Sequence, residues 1–220
     1  MQRSNIEWTE FVSNPIRGRC GHFGTSICGS YCYAEAIRTR FKQPAEMSWH
    51  PKELETIKRR KKPATIFMGS MYDIFGQWVP DNWICRIIQA AKKCPQHKFI
   101  FLTKNPARYT EFDFPDNCYL GYSDDGTKDK RDWAYLKGKR NAFVSLEPLR
   151  GDKVNIHTGI IQQVIIGAQT GAGAIKPSKE VVEEAIKAMD RAGIAVFLKN
   201  NLMHIYPDLP KRRKLIWQPT

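Results

Sequence analysis

Thr65-Ile66-Phe67-Met68-Gly69-Ser70-Met71-Tyr72-Asp73 holds the pattern that decides the fold. Four apolar residues follow one another without alternation, and the run then stops at Gly, Ser and Asp. A strand covered on one face alternates apolar and polar side chains. An unbroken run suits a strand covered on both faces of a parallel sheet. The same pattern recurs down the chain. Phe99–Leu102 runs into Thr103-Lys104, Tyr119–Tyr122 into Ser123-Asp124-Asp125, and Ala142–Leu146 into Glu147-Pro148. Val164–Ala168 runs into Gln169-Thr170-Gly171, and Ile194–Leu198 into Lys199-Asn200-Asn201.

Helical patterns fall between these runs. Asp81 is placed to cap a helix whose apolar positions are Trp83, Ile84, Ile87, Ile88 and Ala91. Ser178 is placed to cap another, with Val181, Val182, Ala185, Ile186 and Met189 on one face and Gly193 as its stop. A weaker helix covers about residues 130–136, a short one begins near Pro106, and one follows Cys32 through Ala34–Phe41. The alternation predicts an α/β fold with about six parallel strands. In such folds the carboxyl ends of the strands gather at one face, where active sites are built. The recurrence of Gly, Ser, Asp, Glu and Lys at those ends points to a site.

No repeat, low-complexity segment or linker is visible, so residues 1–220 are expected to form a single domain. The polar start (Met1-Gln2-Arg3-Ser4-Asn5) shows no secretory leader, and no apolar run reaches the roughly 20 residues of a membrane span. The expectation is a soluble cytoplasmic protein with no membrane partner. Lys and Arg number 35 against 22 Asp and Glu, a net charge of +13. Such a charge attracts polyanions or marks a merely solvated basic surface. Lys58-Arg59-Arg60-Lys61-Lys62 and Lys211-Arg212-Arg213-Lys214 concentrate it, without base-reading chemistry.

In a reducing compartment six cysteines are free thiols or metal ligands rather than a disulfide framework. Cys85, Cys94 and Cys118 lie far apart in apolar surroundings and suit a core. Cys20, Cys28 and Cys32 lie close together, one thiolate short of a closed four-ligand site. His22 would complete a Cys₃His zinc site, although the spacing is not that of the common zinc fingers. Alternatively the three thiolates hold a [4Fe–4S] cluster whose fourth iron takes an exogenous ligand. Tyr31 and Tyr33 then flank the last cysteine as apolar cover.

Asn5-Ile6-Glu7-Trp8-Thr9, Asn14-Pro15, the three cysteines and Cys32-Tyr33-Ala34-Glu35 resemble the start of a phage- and prokaryote-associated family of radical-SAM-like proteins of largely unassigned function. Ser70-Met71-Tyr72-Asp73-Ile74-Phe75, Leu102-Thr103-Lys104-Asn105-Pro106 and Ser145-Leu146-Glu147-Pro148-Leu149 follow in family order. Gly167–Gly171 and Phe197-Leu198-Lys199 are weaker blocks. The general radical-SAM pattern separates its cysteines by three and two residues, whereas here the gaps are seven and three. Gln169 stands where the family carries an acid, so a carboxylate role does not carry over.

The resemblance implies a partial (β/α) barrel whose first strand precedes the cysteines. Residues 1–45 would be the cluster-binding segment, 64–200 the barrel core and 201–220 a basic tail. It implies that Cys20, Cys28 and Cys32 bind a [4Fe–4S] cluster and that S-adenosylmethionine chelates the fourth iron. One electron, from an unidentified donor, would cleave the sulfonium to methionine and a 5′-deoxyadenosyl radical. Gly69 and Ser70 would meet the methionine group, with Ser123 or Asp124 at the ribose and Tyr31 and Gln169 also near the cofactor. Glu147 and Lys199 would contact the charged end, and Asp73, Thr103 and Lys104 the substrate side, with Glu147, Lys199 and Asp73 as catalytic candidates. Charge and family setting suggest a DNA or RNA substrate, for base modification or repair. Two rivals stand beside this: a non-catalytic nucleic-acid-binding protein stapled by zinc or a cluster, and a radical-SAM enzyme acting on a small metabolite.

Overall fold

β-Branched and aromatic side chains concentrate in the apolar runs, and those runs become strands. The computed structural model describes residues 1–25, 28, 32–127, 132–152, 154, 159–171 and 173–218. The chain divides into two compact units, Met1–Tyr119 and Leu120–Thr220.

The first unit opens with β1 (Gln2–Arg3), β2 (Phe11–Ser13) and β3 (Ile16–Arg17), then α1 (Tyr33–Arg40), β4 (Ser48–Trp49) and α2 (Lys52–Arg59). β5 (Thr65–Met68), α3 (Asp81–Lys92), β6 (Lys98–Thr103) and a 3₁₀ turn at Pro106–Glu111 complete it. β5 pairs in parallel with β2 on one side, in the register Val12 to Phe67, and with β6 on the other. β1 adds an antiparallel edge to β2, and β3 and β4 form a separate antiparallel ribbon. Ile66, Met68, Phe99, Ile100 and Phe101 are buried, as a sheet covered on both faces requires. α3 packs against α2 and buries Ile84, Ile87, Ile88, Ala90 and Ala91.

β7 (Cys118–Asp124) leads into the second unit, followed by a 3₁₀ turn (Asp132–Leu136), β8 (Ala142–Leu146), β9 (Gln163–Ile166), α4 (Lys179–Arg191), β10 (Ala195–Leu198) and α5 (Asn200–Ile205). β7, β8, β9 and β10 pair side by side, all parallel. Every residue of β8 and β9 is buried. α4 packs on β10. The architecture is thus mixed α/β with mostly parallel strands.

Local readings hold to different degrees. Ser178 caps α4 as its side chain accepts from the Val181 N–H at 3.2 Å, and Gly193 follows the helix with φ +68°. Asp81 is not a cap. Pro80 takes that position, and Asp81 is the first helical residue, its carboxylate drawn to the Arg108 guanidinium. The turns at 106–111 and 132–136 are 3₁₀ rather than α, in keeping with their length. Residues 128–131, where the weaker helix was expected to start, lie outside the described residues.

Residues 201–220, expected as a basic tail, bury Leu202, Leu209, Leu215 and Trp217, the last against Phe143 at 5.0 Å. Gln163, fully buried on β9, donates to the Lys214 carbonyl and accepts from the Ile216 N–H, fastening that segment to the sheet. No helix among the described residues is long and apolar enough to cross a membrane.

Candidate functional site

In the first unit the residues after β5 are shaped by a sharp turn. Gly69 has φ +77°, and a Cβ there would lie 2.7 Å from Ile74 and from the Tyr72 carbonyl oxygen, so only glycine fits without a shift. Its N–H donates to the Ser13 carbonyl at 2.8 Å. Asn14, just past β2, donates to Ser70 Oγ at 3.1 Å and accepts from the Met71 N–H at 3.0 Å. The Tyr33 hydroxyl, on the first residue of α1, donates to the Ser70 carbonyl. Gly69 and Ser70 are therefore held between the ends of β2 and α1.

Asp73 is the hub of this unit. Its Oδ2 lies 2.9 Å from His22 Nε2 and accepts from the Lys104 N–H at 2.9 Å. Its Oδ1 accepts from Thr103 Oγ1 at 2.7 Å and from the Phe75 N–H at 3.0 Å. Burial would raise this carboxyl, but the bond to His22, its charge, and the Lys104 and Thr103 donors hold it below its ordinary range. Asp73 and Thr103, expected on the substrate side, bond each other, and Asp73 also bonds His22. That network docks the cysteine segment. The His22 ring meets Trp78 edge-on at 4.8 Å, and a Cβ on Gly21 would lie 2.5 Å from the same indole.

The three thiols come together on this base. Cys28 and Cys32 share a side-chain hydrogen bond, and the charges of Cys20, Cys32 and Lys104 all act on Cys28. Cys32 is the N-cap residue of α1. The bond from Cys28 and the N–H groups of Glu35 and Ala34, with Lys104 nearby, bring Cys32 down to about 6. Its bond to Cys32, then burial, pushes Cys28 up, and burial pushes Cys20 up to about 11. One thiolate is ready while its neighbours hold protons. Among the described residues no group of three His, Cys, Asp or Glu side chains is arranged around a single ion. The donor chemistry nevertheless fits a cluster, whose three cysteines each bind a different iron and need not converge on one point. For a Cys₃His zinc site His22 would have to ligate through Nδ1, since its Nε2 is turned to Asp73. Tyr31 lies outside the described residues.

In the second unit the strand register builds a row. β8, β9 and β10 align Leu146 with Ile166 and Ile166 with Leu198, so Glu147, Gly167 and Lys199 follow in line. Glu147 and Lys199 form an ion pair, with 26% and 16% of their side chains exposed. Gly167 between them makes this possible: a Cβ there would lie 3.0 Å from Lys199 Cδ and 3.2 Å from Glu147. One register step earlier, Ser123 pairs with Ser145. Ser145 Oγ is buried and has no hydrogen-bond partner among the described residues. Asp124 accepts from Trp133 Nε1 at 3.0 Å and from the Gly126 N–H at 2.9 Å. Gln169 Oε1 accepts from the Ile175 N–H at 3.5 Å.

Asn14, the His22–Asp73 pair and Gly167 carry much of this geometry and were not singled out from sequence in these roles. Asn14 obeys the polar strand-end rule, but β2 is too short to stand out as an apolar run. No curated protein and no solved structure matches the chain. Residues 3–214 match a single family model throughout, and the chain belongs to that family, described as protein of unknown function (DUF5131).

Proposed function

We propose that this protein is a radical S-adenosylmethionine enzyme that acts on nucleic acid. The observation that carries the reading is the gathering of Cys20, Cys28 and Cys32, one of them a thiolate near neutral pH, on a buried polar base. Those three residues would hold a [4Fe–4S] cluster. When bound, the cluster supplies the electron that splits the sulfonium of S-adenosylmethionine and so gives the 5′-deoxyadenosyl radical. In this reading the parallel strands belong to a partial barrel of the radical-SAM kind.

The chain's own residues bind and orient. The Cys32 thiol ionises without a base of its own, and Lys104 offsets negative charge at the thiols. Asp73 positions the segment through His22. In the first unit Gly69 and Ser70, with no bulk beyond a hydroxyl, suit a methionine group. In the second unit Glu147 and Lys199 offer opposite charges suited to an amino-acid moiety, and the Ser145 hydroxyl has no acceptor among the described residues. Net charge of +13 supports a polyanionic substrate.

The test is reductive cleavage of S-adenosylmethionine by anaerobically reconstituted protein under strong reductant, with and without DNA or RNA. The expected products are methionine and 5′-deoxyadenosine, lost in Cys32→Ala. No cleavage in any condition removes the enzymatic reading and leaves the stapled binding protein. Turnover of a small metabolite that persists at high salt would move the substrate away from polyanions.

A further inference from the structure

α1 buries none of its residues, yet Tyr33, Ile37 and Phe41 recur every fourth position along it and its C-cap. They are 55%, 37% and 63% exposed, and Phe23 in the cysteine segment is 40% exposed. An eight-residue helix is marginal in water by itself. What holds α1 is polar: Tyr33 to the Ser70 carbonyl, and Glu35 clamped by Arg38 at 2.7 Å and Arg19 at 2.9 Å. Ile37 and Phe41 stay exposed on its surface.

Each exposed phenyl ring carries a guanidinium. Arg19 lies over Phe23 at 4.9 Å and Arg40 over Phe41 at 5.6 Å. At 100° per residue, Arg40, Tyr33, Ile37 and Phe41 share one arc of the helix. Residues 17–42 hold Arg17, Arg19, Arg38, Arg40 and Lys42 against Glu35 alone, five positive charges to one negative. An apolar protein partner or a lipid core would have to desolvate these guanidiniums. A strand of nucleic acid satisfies both features, with bases on the aromatic faces and phosphates on the arginines.

We propose that Phe23, Tyr33, Ile37 and Phe41, with Arg19 and Arg40, form the docking surface for a single-stranded nucleic acid. This rests on the nucleic-acid half of the proposed function and gives it a place. A duplex hides the faces of its bases, so only unpaired bases can stack here. The stripe begins at the residue after Cys32, which sets the bound strand beside the thiols. The C-terminal basic cluster is a poorer candidate, because the ring beneath Arg213 is Phe197, buried on β10 and closed to a base.

The test is fluorescence anisotropy on the full chain, purified anaerobically, with a labelled mixed-sequence oligonucleotide of DNA or RNA, single-stranded and as duplex. The expected result is tighter binding of the single strand and a loss of about tenfold for each of Phe23→Ala and Phe41→Ala. Phe41→Leu keeps the bulk, loses the π face and is expected to weaken binding likewise. Arg40→Gln should lower the salt slope by about 0.7. Both phenylalanines are exposed, and unchanged circular dichroism and iron content show that a variant has folded. Equal affinity of wild type and both alanine variants overturns the proposal. So does preference for the duplex, or displacement by polyglutamate as effective as by oligonucleotide. Binding that depends on Phe41 in a protein without iron would keep the surface and fail the radical chemistry. A loaded cluster with no strand binding would fail the surface alone.

Discussion

Two residues carry the cysteine site for different reasons, and each answers to its own pH. Asp73 is buried and ionised, and its folded value is depressed below the ordinary 3.8. The stability it contributes is therefore complete above that ordinary value and is lost as pH falls through the lower folded one. Asp73→Asn is expected to cost roughly 3–5 kcal/mol at pH 7, since it leaves buried donors without their charged acceptor. It should also flatten the acid limb below about pH 4, as urea unfolding across pH would show. A mutant as stable as wild type would deny Asp73 its role as hub.

Cys32 answers near neutrality. In metal-free protein its alkylation by iodoacetamide is expected to be half-maximal near pH 6, while Cys20 waits until about 11. Cys28→Ala removes the largest cause and should move the Cys32 midpoint up toward the ordinary 9.0. An unmoved midpoint would assign the effect to the helix N–H groups instead. Ser145 gives a third test at this scale. Ser145→Ala removes a buried hydroxyl that has no partner among the described residues, so unfolding should show unchanged or higher stability.

At the scale of elements, α4 shows what sequence can supply. Ser178→Ala is expected to lower stability by about 1 kcal/mol in a urea titration, because the Val181 N–H loses its acceptor. That cap, the apolar face of α4 and its glycine stop were all legible, since each depends on neighbours within a turn. So were β5 and β8, residue for residue, because both are unbroken, mostly apolar runs that stop at loop residues. What was not legible depends on distant partners. Asp81 reads as a cap until Arg108, 27 residues on, takes its carboxylate. β2 is three residues long, yet it carries Asn14 to the turn at Ser70. Gly167 is unremarkable as a letter. Its importance comes from register, which sets it between Glu147 and Lys199.

On the scale of the whole molecule, composition and structure pull in different directions at the C-terminus. Residues 201–220 look like a basic tail because Lys211–Lys214 dominate them. Four buried apolar residues and the Gln163 clasp make them part of the second unit. Trp217→Ala is expected to cost about 3–5 kcal/mol, as for other large core truncations. The three cysteines are the opposite case: sequence placed them together, and the fold supplies the base they rest on. Whether they carry a reactive cluster is decided most directly by iron and labile sulfide in anaerobically purified protein, read with the electron paramagnetic resonance spectrum of the reduced form. The expected result is a brown protein with a signal from one reduced [4Fe–4S] cluster that shifts on adding S-adenosylmethionine and vanishes in Cys32→Ala. A colourless protein holding one zinc, or a cluster signal indifferent to S-adenosylmethionine, would contradict it.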